Sequence, residues 1–290
     1  MNNIVFCIDK NMINLTEYVI KSFYKFNDVE KYKINYLLYD EEKNLHLEID
    51  KIIKKINLKI NVDYKYLDIP DDFNLLLDKI SKEYKDRQKK TFGNKANWSR
   101  FFIQDQFPNL DKILYLDYDI LICNNMDKLF EKKFNDLPLM AVPYSTNGKF
   151  ERREWNITNL LNSKQQQQEC VNKCVDELNI NREELAQSSP YNCGVMFLNL
   201  KILREINLID KIKQYLIVYL KNGRFHRPSG TQTVCNLLIP NYIHIEWIYN
   251  VLGKKRKKDT VILHFKGFRV PNDDYKKNFE DIMLKKRFKL

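Results

Sequence analysis

Glycine is scarce in this sequence, with 7 residues in 290, where ordinary usage of about 7% would supply roughly 20. That excludes collagen-like and Gly-rich linker segments. Neither a G-x-G-x-x-G fingerprint nor a Walker A loop can be written anywhere in the chain, so the glycine-based phosphate cradles are excluded too. Most turns must then be made by Asn, Asp and Lys. Cysteine numbers 6, at positions 7, 123, 170, 174, 193 and 235, with no C-x-x-C pair. In a chain of this length such spacing reads as free thiols in a reducing compartment and not as a disulfide framework. Long apolar runs are also lacking. The first fifteen residues hold only Ile4 to Ile8, closed by Asp9, too short for a secretory h-region, and no stretch approaches the roughly 18 apolar residues of a spanning helix. The expectation is a cytoplasmic protein.

What the sequence does contain is apolar and aromatic material: 44% hydrophobic residues, including 17 Tyr and 17 Phe. That is ample for a sizeable core and argues against disorder. Formal charge is 49 − 38 = +11. Residues 250–290 carry thirteen Lys/Arg against five Asp/Glu, a local +8, which leaves +3 for everything before them. Two clusters make this basic end, Lys254 to Lys258 and Lys285 to Lys289, the second interrupted by Phe288. A solvated face is one reading. Docking to an anionic surface is the other, with anionic membrane, phosphorylated glycolipid and nucleic acid as the partner classes.

The first half alternates short strand-like runs with helical patterns. Ile4 to Ile8, Ile34 to Tyr39, Val62 to Leu67, Ile113 to Leu116 and Ile120 to Ile122 read as strands. Asn14 with Glu17 resembles a capping box opening a helix through Phe26, and further helices are expected near 42–57 and 96–107. Alternation of this kind predicts βαβ units and a largely parallel sheet. Residues 145–190 are polar and weakly periodic apart from a helix near 169–178, and read as an excursion from the sheet of the sort that holds a substrate-specific loop or short helices. Regular structure resumes with a strand from Gly194 to Leu200, a helix with Ile209, Ile212, Leu216 and Leu220 on one face, and a strand from Val261 to Phe265.

Three segments can carry chemistry. Asp117-Tyr118-Asp119 follows one apolar strand and precedes another. Two carboxylates beside such sequence are costly unless paired or metal-bound, and alternation puts them on one side of an extended chain. They suit Mg²⁺ or Mn²⁺ carrying a diphosphate, with an exposed acidic hairpin as the alternative. His264 ends an apolar strand next to Lys266, Gly267 and Arg269, where it is either a satisfied core residue or a further ligand. Asn192, before Gly194 and a strand, is either a turn residue or an amide that meets a sugar hydroxyl.

Together these segments resemble glycosyltransferase family 8. Lys112 to Ile122, K-I-L-Y-L-D-Y-D-I-L-I, is similar to that family's D-x-D segment; Asn192 to Leu200 to its N-A-G-V-x-x-x-N-L; His264 with Gly267 to its H-x-x-G; and Ile4 to Asn11 to its I-V-F-A-x-D-D-N opening. The resemblance implies a GT-A fold: a Rossmann-like, mixed but mostly parallel α/β sheet flanked by helices, in one domain over 1–270, with a basic tail over 271–290. It implies a UDP-sugar donor, Mn²⁺ or Mg²⁺ as cofactor, and transfer of a hexose, galactose or glucose, with retention of configuration. The acceptor implied is a saccharide or glycolipid such as lipopolysaccharide. By position, Asp117, Asp119 and His264 are the metal ligands. Ile8, Asp9, Asn11 and Met12 lie against the uridine, with Tyr118 beside them and Asp117 also reaching the ribose. Arg100 and Asn192 contact the donor sugar or diphosphate. Thr231, Gln232, Lys266, Gly267 and Arg269 complete the donor side, and Gln232, Asn192 and Arg100 stand nearest the chemistry.

The sequence also departs from the pattern. The family's D-Q-D is Thr231-Gln232-Thr233 here, the Lys of H-x-x-G-x-x-K-P-W is Val270, an Asp is Lys10, and Met12 stands where an aromatic stacks on uracil. With no flanking carboxylate to act as nucleophile, front-face attack by the acceptor is favoured. The alternatives are a catalytically degenerate UDP-sugar- or polyanion-binding protein and a self-glucosylating, glycogenin-like enzyme. The basic end favours a peripheral membrane contact over nucleic acid.

Overall fold

The computed structural model describes residues 1–83, 94–143, 166–222, 230–253, 256–265 and 270–284, with the side chains of 83 and 166–171 left aside. The chain opens with β1 (Asn2–Asp9), a 3₁₀ helix (Lys10–Leu15), α1 (Thr16–Phe26), β2 (Tyr32–Tyr39), α2 (Leu45–Ile56), β3 (Val62–Tyr66) and α3 (Asp71–Glu83). A second 3₁₀ helix (Lys95–Phe102) and α4 (Ile103–Gln106) lead into β4 (Lys112–Leu116), β5 (Ile120–Ile122), α5 (Asp127–Phe130) and β6 (Leu139–Pro143). Then come α6 (Gln166–Glu177), α7 (Arg182–Gln187), β7 (Tyr191–Asn199), α8 (Leu200–Glu205), α9 (Leu208–Lys221) and α10 (Gly230–Leu238). The short strands β8 (Ile243–His244), β9 (Val251–Leu252) and β10 (Ile262–His264) precede α11 (Asp273–Leu284).

Seven strands form one sheet in the order β3-β2-β1-β4-β7-β6-β8, and β5-β10-β9 form a second. In the large sheet β7 alone runs antiparallel to its neighbours β4 and β6, while β1 pairs in parallel with both β2 and β4. The chain leaves β1 outward through β2 and β3 and returns to β4 on its other side. This reversal is a topological switch point, and in open α/β sheets the crevice at the carboxyl ends of such strands is where ligands bind. Alternation along β1 sends Ile4, Phe6 and Ile8 to the core face covered by α1 and α2, and Val5 to the face covered by α3 and the second 3₁₀ helix.

Several expectations are corrected. Asn14 does not cap α1. The Asp9 carboxylate accepts the Asn11 N–H as β1 ends, so the chain coils at once into a 3₁₀ helix that runs on into α1, and Glu17 pairs with Lys21 instead. The helix expected over 96–107 is a 3₁₀ helix followed by a single α turn. α3, β6 and α10 are additional to the elements the sequence pattern singles out. Of the 145–190 excursion, residues 145–165 lie outside the described residues, and the remainder contains α6 and α7. Of the 271–290 tail, residues 285–290 lie outside them too. Residues 273–284 form α11, whose Tyr275 and Ile282 are fully buried. The Tyr275 hydroxyl donates to the Ile120 carbonyl at 3.0 Å. Cys7, Cys123, Cys174, Cys193 and Cys235 are free thiols. Among the described residues no helix is long and apolar enough to cross a membrane.

Candidate functional site

The site is assembled by strand pairing. Just beyond β4, the Asp117 N–H donates to the Gly194 carbonyl of β7 at 2.7 Å. β10 pairs antiparallel with β5, setting His264 opposite Ile120, and the Phe265 N–H donates to the Asp119 carbonyl at 2.9 Å. His264 Nε2 therefore lies 3.2 Å from Asp119 Oδ1 and 3.6 Å from Asp117 Oδ2. One ligand atom from each of Asp117, Asp119 and His264 falls within 4.8 Å of the others. His264 is buried, at 1% exposure, while both carboxylates remain partly exposed.

The two oxygens of Asp117 are used differently. Oδ1 accepts from Arg100 Nη2 at 3.2 Å and from the Tyr115 hydroxyl, whereas Oδ2 faces His264. Arg100 also donates from Nη1 to the Cys193 carbonyl at 3.2 Å and lies over the Tyr115 ring. Its Nε is buried without a hydrogen-bond partner among the described residues. Burial pushes the Asp119 carboxyl up, but His264, by charge and by hydrogen bond, and Arg100 outweigh it and hold Asp119 below the usual carboxylate range. Gly194 closes the floor. A Cβ there would meet His264 Cε1 at 2.1 Å and Asp117 Oδ2 at 2.7 Å. Two carboxylates and an imidazole nitrogen, in a cradle without room for a further carbon, fit a divalent cation of the Mg²⁺ or Mn²⁺ kind.

Asn192 is buried and engaged within the protein. Its Oδ1 accepts from the Gly194 N–H and from Asn250 Nδ2, each at 2.9 Å, and its Nδ2 donates to Gln232 Oε1 at 3.0 Å. Thr231 and Gln232 sit at the start of α10, which Asn236 ties to β7 through both backbone groups of Tyr191. Asp9 and Asn11 stand at the carboxyl end of β1, where Asp9 accepts from the Asn11 backbone and side-chain nitrogens at 2.9 and 3.2 Å. Met12 next to them is 38% exposed. Two of the expected donor-side residues have their side chains in the core: Ile8 is buried, and the Tyr118 hydroxyl bonds Thr16 and Tyr36, so a ligand would meet both through their backbones. Lys266, Gly267 and Arg269 lie outside the described residues, as do Lys254, Lys255 and the 285–289 cluster.

Two residues here were not singled out by sequence reasoning. Tyr115 carried a signal, since alternation places it on the same side of the strand as Asp117. Asn250 carried none, because its role depends on the pairing of β9 with β10, which sets it beside His264.

A model of the family described as "Glycosyl transferase family 8" matches residues 3–270. Among curated proteins, the chain is 25% identical over 172 residues to glycosyltransferase GlyD of Streptococcus pneumoniae serotype 4, covering 58% of this chain and 16% of that protein. It is 28% identical over 163 residues to glycosyltransferase GlyA of the same organism, covering 53% of this chain and 23% of that one. The matched part is thus less than a quarter of either relative's length. Among solved structures, a galactosyltransferase LgtC in complex with donor and acceptor sugar analogs superposes with TM-score 0.63 at 15% identity, over 97% of this chain and 94% of that one. The apo form of glycosyltransferase GlyE from Streptococcus pneumoniae TIGR4 gives 0.57 at 18% identity, over 98% and 60%. These structures share the GT-A fold with the chain.

Proposed function

We propose that this chain, which belongs to glycosyl transferase family 8, is a metal-dependent retaining hexosyltransferase that moves galactose or glucose from a UDP-sugar to a saccharide hydroxyl. The observation that carries this reading is the convergence of Asp117, Asp119 and His264 at the carboxyl ends of β1 and β4. A surface glycan such as lipopolysaccharide is the acceptor class proposed. Residues 1–270 are read as one catalytic domain, and the basic end as a peripheral contact with the inner face of an anionic membrane.

In this reading Asp117 Oδ2, Asp119 and His264 Nε2 hold a divalent cation, Mn²⁺ or Mg²⁺. When bound, the cation supplies Lewis-acid stabilisation of the charge on the departing diphosphate. Arg100 adds a fixed positive charge and keeps Asp117 turned so that only Oδ2 is available. Asp9 and Asn11 lie where the uridine would rest, beside the carboxyl end of β4. Breaking the bond from C1 to phosphate makes the sugar oxocarbenium-like, and the acceptor oxygen bonds C1 on the same face. Its proton passes to a phosphate oxygen of the leaving UDP. Thr231 and Thr233 offer no carboxylate, and the Gln232 amide is a poor nucleophile, which favours this front-face course.

The test is a screen of UDP-sugars for Mn²⁺-dependent UDP release, with Asp119→Ala as control. Release that disappears in the variant is expected. A wild-type chain that binds UDP-sugars but turns none over would support the degenerate binding protein instead, a reading favoured by the missing carboxylates at 231 and 233.

A further inference from the structure

The side-chain amides around His264 form a chain whose polarity can be worked out from one end. The Gly194 N–H is a backbone donor and has no alternative orientation, so the Asn192 atom 2.9 Å from it must be oxygen. That same oxygen lies 2.9 Å from the Asn250 side chain, which must therefore present its NH₂ group there. The remaining atom of Asn250, 3.0 Å from His264 Nδ1, is then its carbonyl oxygen, an acceptor only. His264 Nδ1 must carry a proton. When the ring is neutral, its lone pair is on Nε2, the nitrogen that faces Asp117 and Asp119. The other tautomer would put a proton on Nε2, donate it to Asp119 and close the ring to a metal.

We propose that Asn250 is a positioning residue of the metal site, selecting the metal-binding tautomer of His264 under a polarity set by the Gly194 backbone and relayed through Asn192. The inference rests on the metal-dependent reading above and extends it to a residue that touches neither cation nor substrate. Outer-shell partners of a ligating histidine commonly set its ring orientation and tautomer, and their loss weakens metal binding by about 10–100-fold.

The test is calorimetric titration of nucleotide-free protein with Mn²⁺ for wild type, Asn250→Leu and Asn250→Asp, with thermal unfolding of each. Leucine fills the volume without an acceptor and should weaken binding by about 10–100-fold. Aspartate still accepts the Nδ1 proton but gives up the hydrogen bond to the Asn192 oxygen, and should bind Mn²⁺ more tightly than the leucine variant does. Nitrogen-15 spectra of the Mg²⁺-loaded wild type should show His264 protonated at Nδ1. Wild-type affinity in a folded Asn250→Leu variant overturns the inference, as does an Nε2-protonated ring in the wild type. Should Asn250→Leu fail to fold, the wild-type spectrum decides. A wild type that binds neither cation overturns the metal reading itself, a result distinct from equal binding by wild type and variant.

Discussion

Gly194 lies directly against the ring of His264, with space for a hydrogen but not for a methyl group, whose carbon would stand 2.1 Å from His264 Cε1. In a chain with 7 glycines, one stands where the ring of His264 lies against β7. The space is taken up by that side chain and by Asp117 Oδ2. Gly194→Ala should leave the sheet paired, because strand conformation tolerates alanine, yet push the imidazole off Asp117 and Asp119. The expected outcome is Mn²⁺ affinity reduced by about 10–100-fold with native-like circular dichroism. Unchanged affinity by calorimetry would contradict the packing argument.

Asp117 is clamped by two donors of unequal weight. Tyr115→Phe removes a hydrogen bond from an uncharged donor to the Asp117 carboxylate and should cost about 1.5 kcal/mol of stability, the low end for a bond to a charged group. Arg100→Met removes the charged donor while keeping the bulk of the side chain, and should cost roughly 1.5–3 kcal/mol. Urea unfolding of the two variants tests the order. Equal losses would mean that the charge of the guanidinium adds nothing beyond the hydrogen bond it makes.

Asp127 opens α5 and accepts from the Tyr32 hydroxyl and from Lys31. Burial pushes its carboxyl up, but those bonds outweigh burial and hold it below the usual range. A folded-state value below the unfolded one means stability that is present above about pH 4 and lost as pH falls through the folded value. Asp127→Asn should therefore be less stable than wild type at neutral pH by about 1–2 kcal/mol. The gap should narrow as thermal unfolding is followed down to about pH 3; a gap independent of pH would rule out the ionised contact as its source.

Membrane attachment through the basic end can be tested without disturbing the core only if the truncation is placed correctly. Ile282 is fully buried and Lys25 donates to the Met283 carbonyl at 2.5 Å, so α11 has to stay. Deleting residues 285–290 should leave the unfolding temperature unchanged and abolish sedimentation with anionic liposomes. Retained sedimentation would place the contact elsewhere.

Much of this protein is legible in the order of its residues. The apolar runs around Asp117 and Asp119, the alternation that puts both carboxylates on one side, and the four motifs from Ile4 to Gly267 suffice for the family, the mostly parallel sheet and the candidate ligands, because strand periodicity and local turn chemistry are short-range properties. The helical start was less legible: Asn14 and Glu17 have the spacing of a capping box, yet Asp9 takes the first free N–H and starts the coil earlier.

What only the tertiary structure decided is how distant segments meet. The pairing of β5 with β10 brings His264 to Asp119, that of β4 with β7 puts Gly194 beneath them, and Asn250 reaches His264 Nδ1 through contacts that no local pattern records. The order β3-β2-β1-β4 places the switch point beside Asp9 and Asp119, and α11 turns part of an apparently basic tail into core. The sequence by itself determines which residue types are available for chemistry. Their orientation, and with it the tautomer of His264 and the free oxygen of Asp117, depends on hydrogen bonds between groups that become neighbours only when the strands pair.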